Sequence, residues 1–539
     1  MKITRPRAAL IALAVSALAS AGIGVAIASG PGLGIEPVSQ AQTKALGISS
    51  PNVLAQPWVD VELVRGSQPL ENPDANASHY GYYTSDLPMV PLPPSTAEKT
   101  KSEPDKNTYL IFKNGLSGPD KAYDYGKHFL FQGHEGGSNS YLTRVNLDAD
   151  AAHRVTLLGA IGDSFFDGSS WNPFAARLLL TGENNSSGGG VWQATPDYPS
   201  TIQKLDFLGW AGWEGVQTAS DGSVWLVADV GGSKGTTNTH ARQPNSFVYR
   251  FVPTNRADLT KGGVLQALQV MGTDGKPIVF HAGAADADIL SQGMKDLHTY
   301  GQWLRTRWVT VHDTSSPGGM TAFDANLAAK DALATPFKRP ENGVFRPGGG
   351  FTEFSFTETG DTNLDTEAGA AYGGFGGIFL LQQHEPSADK GRLRLVFRGD
   401  PDHTGLDNIA WFTKGQVAAV EDAGDTVHTQ RGRLDSGFLF EIRQSPPDPA
   451  RFLAEGRDPS ATVDSFLLDS GAAGFPNEGD NEITGLHVSN GDASIDGLLG
   501  RQAPRPFDDG WRVFWTQQHG DNVTFEILGK ARSKRMTSG

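Results

Sequence analysis

Gly415-Gln416-Val417-Ala418-Ala419-Val420-Glu421-Asp422 reads as a turn, an apolar run and a pair of acids. The unit returns in Arg177-Leu178-Leu179-Leu180-Thr181-Gly182-Glu183-Asn184-Asn185. Gly212-Trp213-Glu214-Gly215, Lys338-Arg339-Pro340-Glu341-Asn342, Gly405-Leu406-Asp407-Asn408 and Glu482-Ile483-Thr484-Gly485 also set acids beside strand-like runs. A strand that ends in a carboxylate delivers it to one rim of a sheet. Deliveries spread from Glu183 to Glu482 point to one shared, oxygen-rich site, which is the ligand set that calcium takes.

Working outward, most of the chain from about Tyr109 consists of short strands bounded by Gly, Asp or Asn. His128-Phe129-Leu130-Phe131, Ser223-Val224-Trp225-Leu226-Val227, Phe247-Val248-Tyr249-Arg250-Phe251, Arg392-Leu393-Arg394-Leu395-Val396-Phe397 and Arg512-Val513-Phe514-Trp515 are examples. The expected class is all-β, and the repeated turn, strand and acid suit the four-stranded blades of a β-propeller. A sandwich or barrel is the alternative. Ala285 to Trp308 differs: Ile289, Met294, Leu297, Tyr300 and Leu304 fall at helical spacing, so a helical insertion is expected over 285–308. Residues 29–108 read as a lead-in with loops, including a surface loop from Val90 to Lys106, and 109–539 as the propeller domain.

Lys2, Arg5 and Arg7 followed by the apolar stretch Ala8 to Leu18 read as a secretory signal within 1–28, with Ala19-Ser20-Ala21 or Ala26-Ile27-Ala28 as cleavage site. A secreted or periplasmic location is expected, with no stable membrane insertion after cleavage. Lys and Arg number 45 against 60 Asp and Glu, a formal charge of −15. Nucleic-acid binding needs a basic face, so that partner class is set aside. The chain has no cysteine, which excludes disulfides and thiolate metal sites. A monomer is expected.

Glu183, Glu214 and Glu341 are the foremost metal-ligand candidates, followed by Asp407, Asn408 and Glu482. Glu214 lies between Trp213 and an apolar strand, and a buried carboxylate needs a cation or donor to offset its desolvation. Arg339 is two positions from Glu341, on the same side of an extended chain. Its fork suits a phosphoryl group or, alternatively, an ion pair within the sheet. Glu421-Asp422 offers further oxygens. His134-Glu135 and Gln518-His519 read as ligands or hydrogen-bond partners.

These motifs, with Tyr80-Gly81-Tyr82-Tyr83 ahead of them, stand in the order found in PhoX-type secreted alkaline phosphatases, which the chain resembles from about Tyr80 onward. The matching segments are Gly133-His134-Glu135, Thr181-Gly182-Glu183-Asn184, Glu214-Gly215, Arg339-Pro340-Glu341, Asp407-Asn408 and Gln518-His519-Gly520. The resemblance implies a six-bladed propeller, hydrolysis of a small phosphate ester with Arg339 and Glu341 in catalytic roles, and a site holding iron beside several calcium ions. One departure stands out. The family's cysteine, an iron ligand by that resemblance, is replaced here by Gly182. An all-oxygen calcium site is the expectation, with a non-catalytic, calcium-braced binding propeller as the alternative. A lesser alternative rests on Gly162-Asp163-Ser164-Phe165 and Asp400-Pro401-Asp402-His403, which resemble GDS-type esterases and would supply Ser164, Asp400 and His403.

Overall fold

The computed structural model describes residues 35–38, 52–75, 77–82, 102–135, 139–162, 164–348, 350–455, 482–498, 502–518 and 522–529. The leader and the Tyr83, Asp163 and His519 positions lie outside these residues. Two short strands come first, β1 (Asn52–Leu54) and β2 (Val59–Val64). An antiparallel meander follows: β3 (Glu103–Ile111), β4 (His128–Glu135), β5 (Ser140–Asn146) and β6 (Val155–Ile161). The next runs through β7 (Phe166–Asn172), β8 (Arg177–Gly182), β9 (Gly190–Ala194) and β10 (Ile202–Lys204).

A nine-stranded sheet comes third. It opens with β11 (Trp213–Thr218), β12 (Val224–Ala228), β13 (Val248–Pro253) and β14 (Gly263–Val270). After helices α1 (Ala285–Ile289) and α2 (Gln292–Leu297) comes β15 (Leu304–Asp313), then α3 (Ala325–Asp331). The sheet continues with β16 (Gly343–Phe345), β17 (Glu353–Glu358), β18 (Gly377–Gln383) and β19 (Lys390–Arg398), and β15 bridges β14 and β19. The last meanders are β20 (Leu406–Trp411), β21 (Gln416–Glu421), β22 (Ser436–Glu441) and β23 (Ala450–Glu455), then β24 (Ile483–Ser489), β25 (Arg512–Gln517) and β26 (Val523–Leu528). The N-terminal strands complete both, β1 pairing with β23 and β2 with β26.

The first strands of the meanders pack side by side in a closed circuit: β3 by β7, β7 by β11, β11 by β16, β16 by β20, β20 by β24, and β24 by β3. The architecture is therefore all-β and propeller-like, with few helices. Sheets stacked face to face explain the unbroken apolar runs. In β8, Leu178 and Leu180 pack with Phe129, Phe131 and Leu142 of the preceding meander. Leu179, pointing the other way, packs with Trp213, Leu226 and Tyr249 of the following one. Both faces are dry, so the strand is apolar throughout. Each such side chain contributes on the order of 1.5–3 kcal/mol by leaving water.

Two expectations change here. The end of the expected surface loop is not loop: residues from Glu103 onward form β3, an inner strand whose polar side chains are buried, while residues 90–101 lie outside the described residues. In the expected helical insertion, helix ends at Leu297 and β15 begins at Leu304. From there Leu304, Thr306 and Trp308 alternate, buried, with exposed Arg305 and Arg307, and that period of two prevails over the weaker helical spacing.

Candidate active site

The inner strands share one irregularity. Pairing register shifts between Pro104 and Asn107 in β3, Phe166 and Ser169 in β7, and Trp213 and Val216 in β11. It shifts again between Leu406 and Ile409 in β20 and between Thr484 and His487 in β24. The residues released from the ladder are Asp105-Lys106, Asp167-Gly168, Glu214-Gly215, Asp407-Asn408 and Gly485-Leu486. A bulge frees side chains from strict alternation and re-aims them. Glu341 and Asn342 directly precede β16 and join the same group.

Two clusters of acids result. Asp105, Asp407 and Glu482 bring carboxylate oxygens within 4.8 Å of one another, and so do Glu214, Asp229 and Glu341. The Asn342 amide donates to Asp407 Oδ1 at 3.0 Å and links them. Gln518 donates to Asp105 at 3.2 Å and to Glu135 at 2.9 Å. Burial, reinforced by Asp407, raises the Asp105 carboxyl to about 7. Burial and the neighbouring acids also hold Glu135, Glu214, Glu341 and Glu482 well above the usual carboxylate range, and raise Glu183.

Two cations stand among these acids. Lys106 Nζ donates to Asn408 Oδ1 at 3.0 Å, and burial lowers its pKa to about 8. Arg339 Nε lies 2.7 Å from Asp229 Oδ2, and a terminal nitrogen lies 3.5 Å from Glu341 Oε1. These carboxylates hold the Arg339 guanidinium charged against the opposing effect of its burial. Its backbone is left-handed, at φ 61°. Backbone bonds pin that conformation: Thr359 N–H donates to the Arg339 carbonyl at 2.8 Å, and Gly360 N–H to the Lys338 carbonyl at 3.1 Å. Strain of this kind persists where surrounding structure over-determines it, and it clusters at functional sites. Arg339, Glu135, Glu482, Asp422 and Gln518 together line an open basin.

Of the residues singled out from sequence, Glu214 and Glu341 share one cluster, and Asp407 and Glu482 the other. Glu183 is near enough to both for Asp229 and Asp407 to act on its carboxyl. Asn408 lies among them with its groups committed: its oxygen accepts from Lys106, and its amide donates to Asp407 at 2.7 Å and Thr484 at 3.0 Å. Glu421 belongs elsewhere, in a paired contact with Arg431 at 3.0 Å. His134 is held between Ser102 and Thr143 and stacks on Tyr141, a packing role. The esterase set does not assemble. His403 bonds Asp400 at 2.8 Å and packs on Phe397 and Phe438, whereas Ser164 lies against Gly182.

Sequence reasoning missed Asp105, Lys106 and Asp229. Asp229 follows the apolar run Val224–Ala228 in the turn, strand and acid pattern, so its signal was present. Asp105 gave none, because its strand is polar.

A family model described as Alkaline phosphatase PhoX matches residues 220–475. Over that stretch the chain is similar to the PhoX family. A solved structure of Pseudomonas fluorescens PhoX in complex with vanadate, a transition state analogue, is similar at a TM-score of 0.51 and 13% identity, covering 91% of this chain and 98% of that one. Remoter likenesses include an outer coat vertex of COPII on membranes, at TM-score 0.33, 9% identity and coverage of 79% and 84%. The WD40 domain of Toxoplasma gondii coronin gives 0.32, 10%, 81% and 87%. No curated protein matches. Against the PhoX pattern, Gly182 has a structural reason. A Cβ there would lie 2.4 Å from Ser164 Oγ, 2.7 Å from the Ser164 carbonyl oxygen and 2.9 Å from the Trp192 ring. The room for a cysteine side chain is taken.

Proposed function

We infer that the protein is a metal-dependent phosphoric ester hydrolase, a six-bladed propeller with its site at the acidic end of the inner circuit. The nine-stranded sheet counts as two blades stitched by β15. The observation that carries the reading is the linked pair of acid clusters with Arg339 at their rim. Eight acids, namely Asp105, Glu135, Glu183, Glu214, Asp229, Glu341, Asp407 and Glu482, stand against two cations. Such a set needs either protons or added cations. Carboxylate oxygens without thiolates suit a hard cation, so calcium fits and a thiolate-anchored iron does not.

Asp105, Asp407 and Glu482 would hold one cation, and Glu214, Asp229 and Glu341 another, with Glu183 between. Asn408 and Asn342 orient Asp407. Bound cations supply charge stabilisation to phosphoryl oxygens in an in-line displacement. Asp229 and Glu341 fix the Arg339 guanidinium toward the basin, where its free N–H groups meet the phosphoryl group. Glu341, itself oriented by the Thr359 hydroxyl at 2.6 Å, sits beside it.

Likeness to the PhoX family and the leader-like N-terminus support export from the cytoplasm. Among the described residues no helix is long and apolar enough to cross a membrane. The substrate is a small phosphate ester and the protein acts as a monomer.

The test is metal content of the purified protein together with phosphomonoester hydrolysis in calcium, iron and manganese. Calcium-dependent turnover abolished by Arg339→Ala and by Glu341→Gln supports the reading. The filled cysteine position favours a second one, a calcium-braced propeller that binds ligand without hydrolysis. Calcium binding with no turnover under any metal would select it.

A further inference from the structure

The chain carries a formal charge of −15, yet one outer face is cationic. Arg305 and Arg307 of β15 share the exposed side of that strand. Pairing with β19 sets Arg305 opposite Arg392 and Arg307 opposite Lys390. All four residues are exposed, and Arg394 extends the row. Like charges directly opposite on one face destabilise a sheet. Two such pairs meet here, at the seam joining the halves of the nine-stranded sheet.

The surroundings preserve this charge. Arg307 donates to Gln269 at 2.6 Å and Arg392 to Gln382 at 2.8 Å, neutral amides where glutamates would neutralise them. Of the nearby acids, Glu353 lies 2.5 Å from Arg346, Asp274 lies 4.0 Å from Lys276, and the exposed Asp389 lies 3.7 Å from Arg250. Trp303 lies beneath the guanidiniums of Arg392 at 4.1 Å and Arg394 at 5.3 Å, which steadies them.

We propose that this face binds an extended polyanion, a linear chain bearing closely spaced sulfate or phosphate groups. Arg305 and Arg307 are two residues apart, about 6.6 Å at the strand rise, and their partners stand about 5 Å across. That grid meets successive anions of a chain lying along the strands. Arginine forks suit tetrahedral oxyanions. Shallow depressions flank Arg305, one along Gly275 and Gln302, the other along His384 and Lys390. Trp303 stays 41% exposed beside the two guanidiniums, so an anionic lipid surface is the alternative that the test separates.

The test uses the full chain with heparin oligosaccharides, which offer sulfates, and with poly(glycerol phosphate), which offers phosphodiesters. Binding of at least one is expected, weakening on the order of tenfold or more between 50 and 200 mM salt through counterion release. Whichever polymer binds identifies the anion. The double variant Lys390→Glu with Arg392→Glu should weaken binding at least ~tenfold, since two contacts become repulsive. It turns both cross-strand pairs attractive, so its melting midpoint should equal or exceed the parent's, which separates lost binding from lost folding. Binding unchanged in the double variant overturns the proposal. So does capture by phosphatidylglycerol vesicles with neither soluble chain bound.

Discussion

Asn342, just ahead of β16, and Asp407, in β20, are joined by an amide-to-carboxylate hydrogen bond of 3.0 Å. Through it the two acid clusters share one bond network. Asn342→Leu should therefore cost about 1.5–3 kcal/mol in denaturant unfolding with chelator present, the loss of a buried donor to a charged acceptor. It should also raise the calcium concentration needed for half-maximal thermal stabilisation. An unchanged calcium response would mean the clusters act independently.

Arg339 offers a separation of backbone strain from side-chain function. At φ 61° a non-glycine residue costs about 1–2 kcal/mol. Arg339→Gly and Arg339→Ala both remove the guanidinium and leave Asp229 without it, yet only alanine keeps the strain. The glycine variant should be more stable than the alanine variant by about 1 kcal/mol, while both lose on the order of 100-fold in kcat of the proposed activity. Equal stability of the two would argue against a strained backbone.

The metal-free protein should lose stability as pH rises from 6.5 to 8. The Asp105, Glu135, Glu214, Glu341 and Glu482 carboxyls are raised in the folded state, chiefly by burial. Over this window the unfolded chain has already released those protons, whereas the folded chain holds the Asp105 proton to about pH 7 and the other four acids are raised in the same direction. Folded protein thus binds more protons, and stability falls with pH by up to about 1.4 kcal/mol per unit for each such acid. His134 and His487 are lowered by burial and would act below this window, whereas Lys106, lowered to about 8, acts above it. Melting curves at pH 6.5 and 8, with chelator and with calcium, should show a fall that calcium reduces. A midpoint rising with pH in chelator would contradict the clustered acids.

Gly182→Cys should not restore a thiolate site. The new Cβ meets the Ser164 carbonyl oxygen at 2.7 Å, a backbone contact that cannot swing aside. A loss of about 1–3 kcal/mol is expected from overpacking, measured by chemical unfolding. Pairing it with Ser164→Gly relieves the hydroxyl contact and should recover only part of the loss.

The all-β class was legible because strands such as β8 and β21 carry unbroken apolar runs closed by acids. The site was legible to the extent that its acids border apolar strands: Glu183 follows β8, and Glu214 and Asp407 open β11 and β20. Asp105 was hidden by the reverse case: its strand is polar because it faces the carboxylates, so no hydrophobic pattern marks it. The bulges that bring the acids to one level depend on cross-strand register, which no single strand encodes. For Asn408, residue type agreed with calcium ligation, and only the structure shows its oxygen accepting from Lys106.

β2 lies against β26, and β1 against β23, so early strands finish the late meanders. Timing follows from that arrangement. Asp105 and Glu482, which face each other across one cation-sized gap, emerge from synthesis far apart, and pairings this distant along a chain form slowly. Until the early and late meanders meet, Asp105 and Glu482 have no common place to gather. In the proposed reading, cation capture at Asp105, Asp407 and Glu482 follows ring closure instead of guiding it, whereas Glu214, Asp229 and Glu341 come from one sheet's own segment.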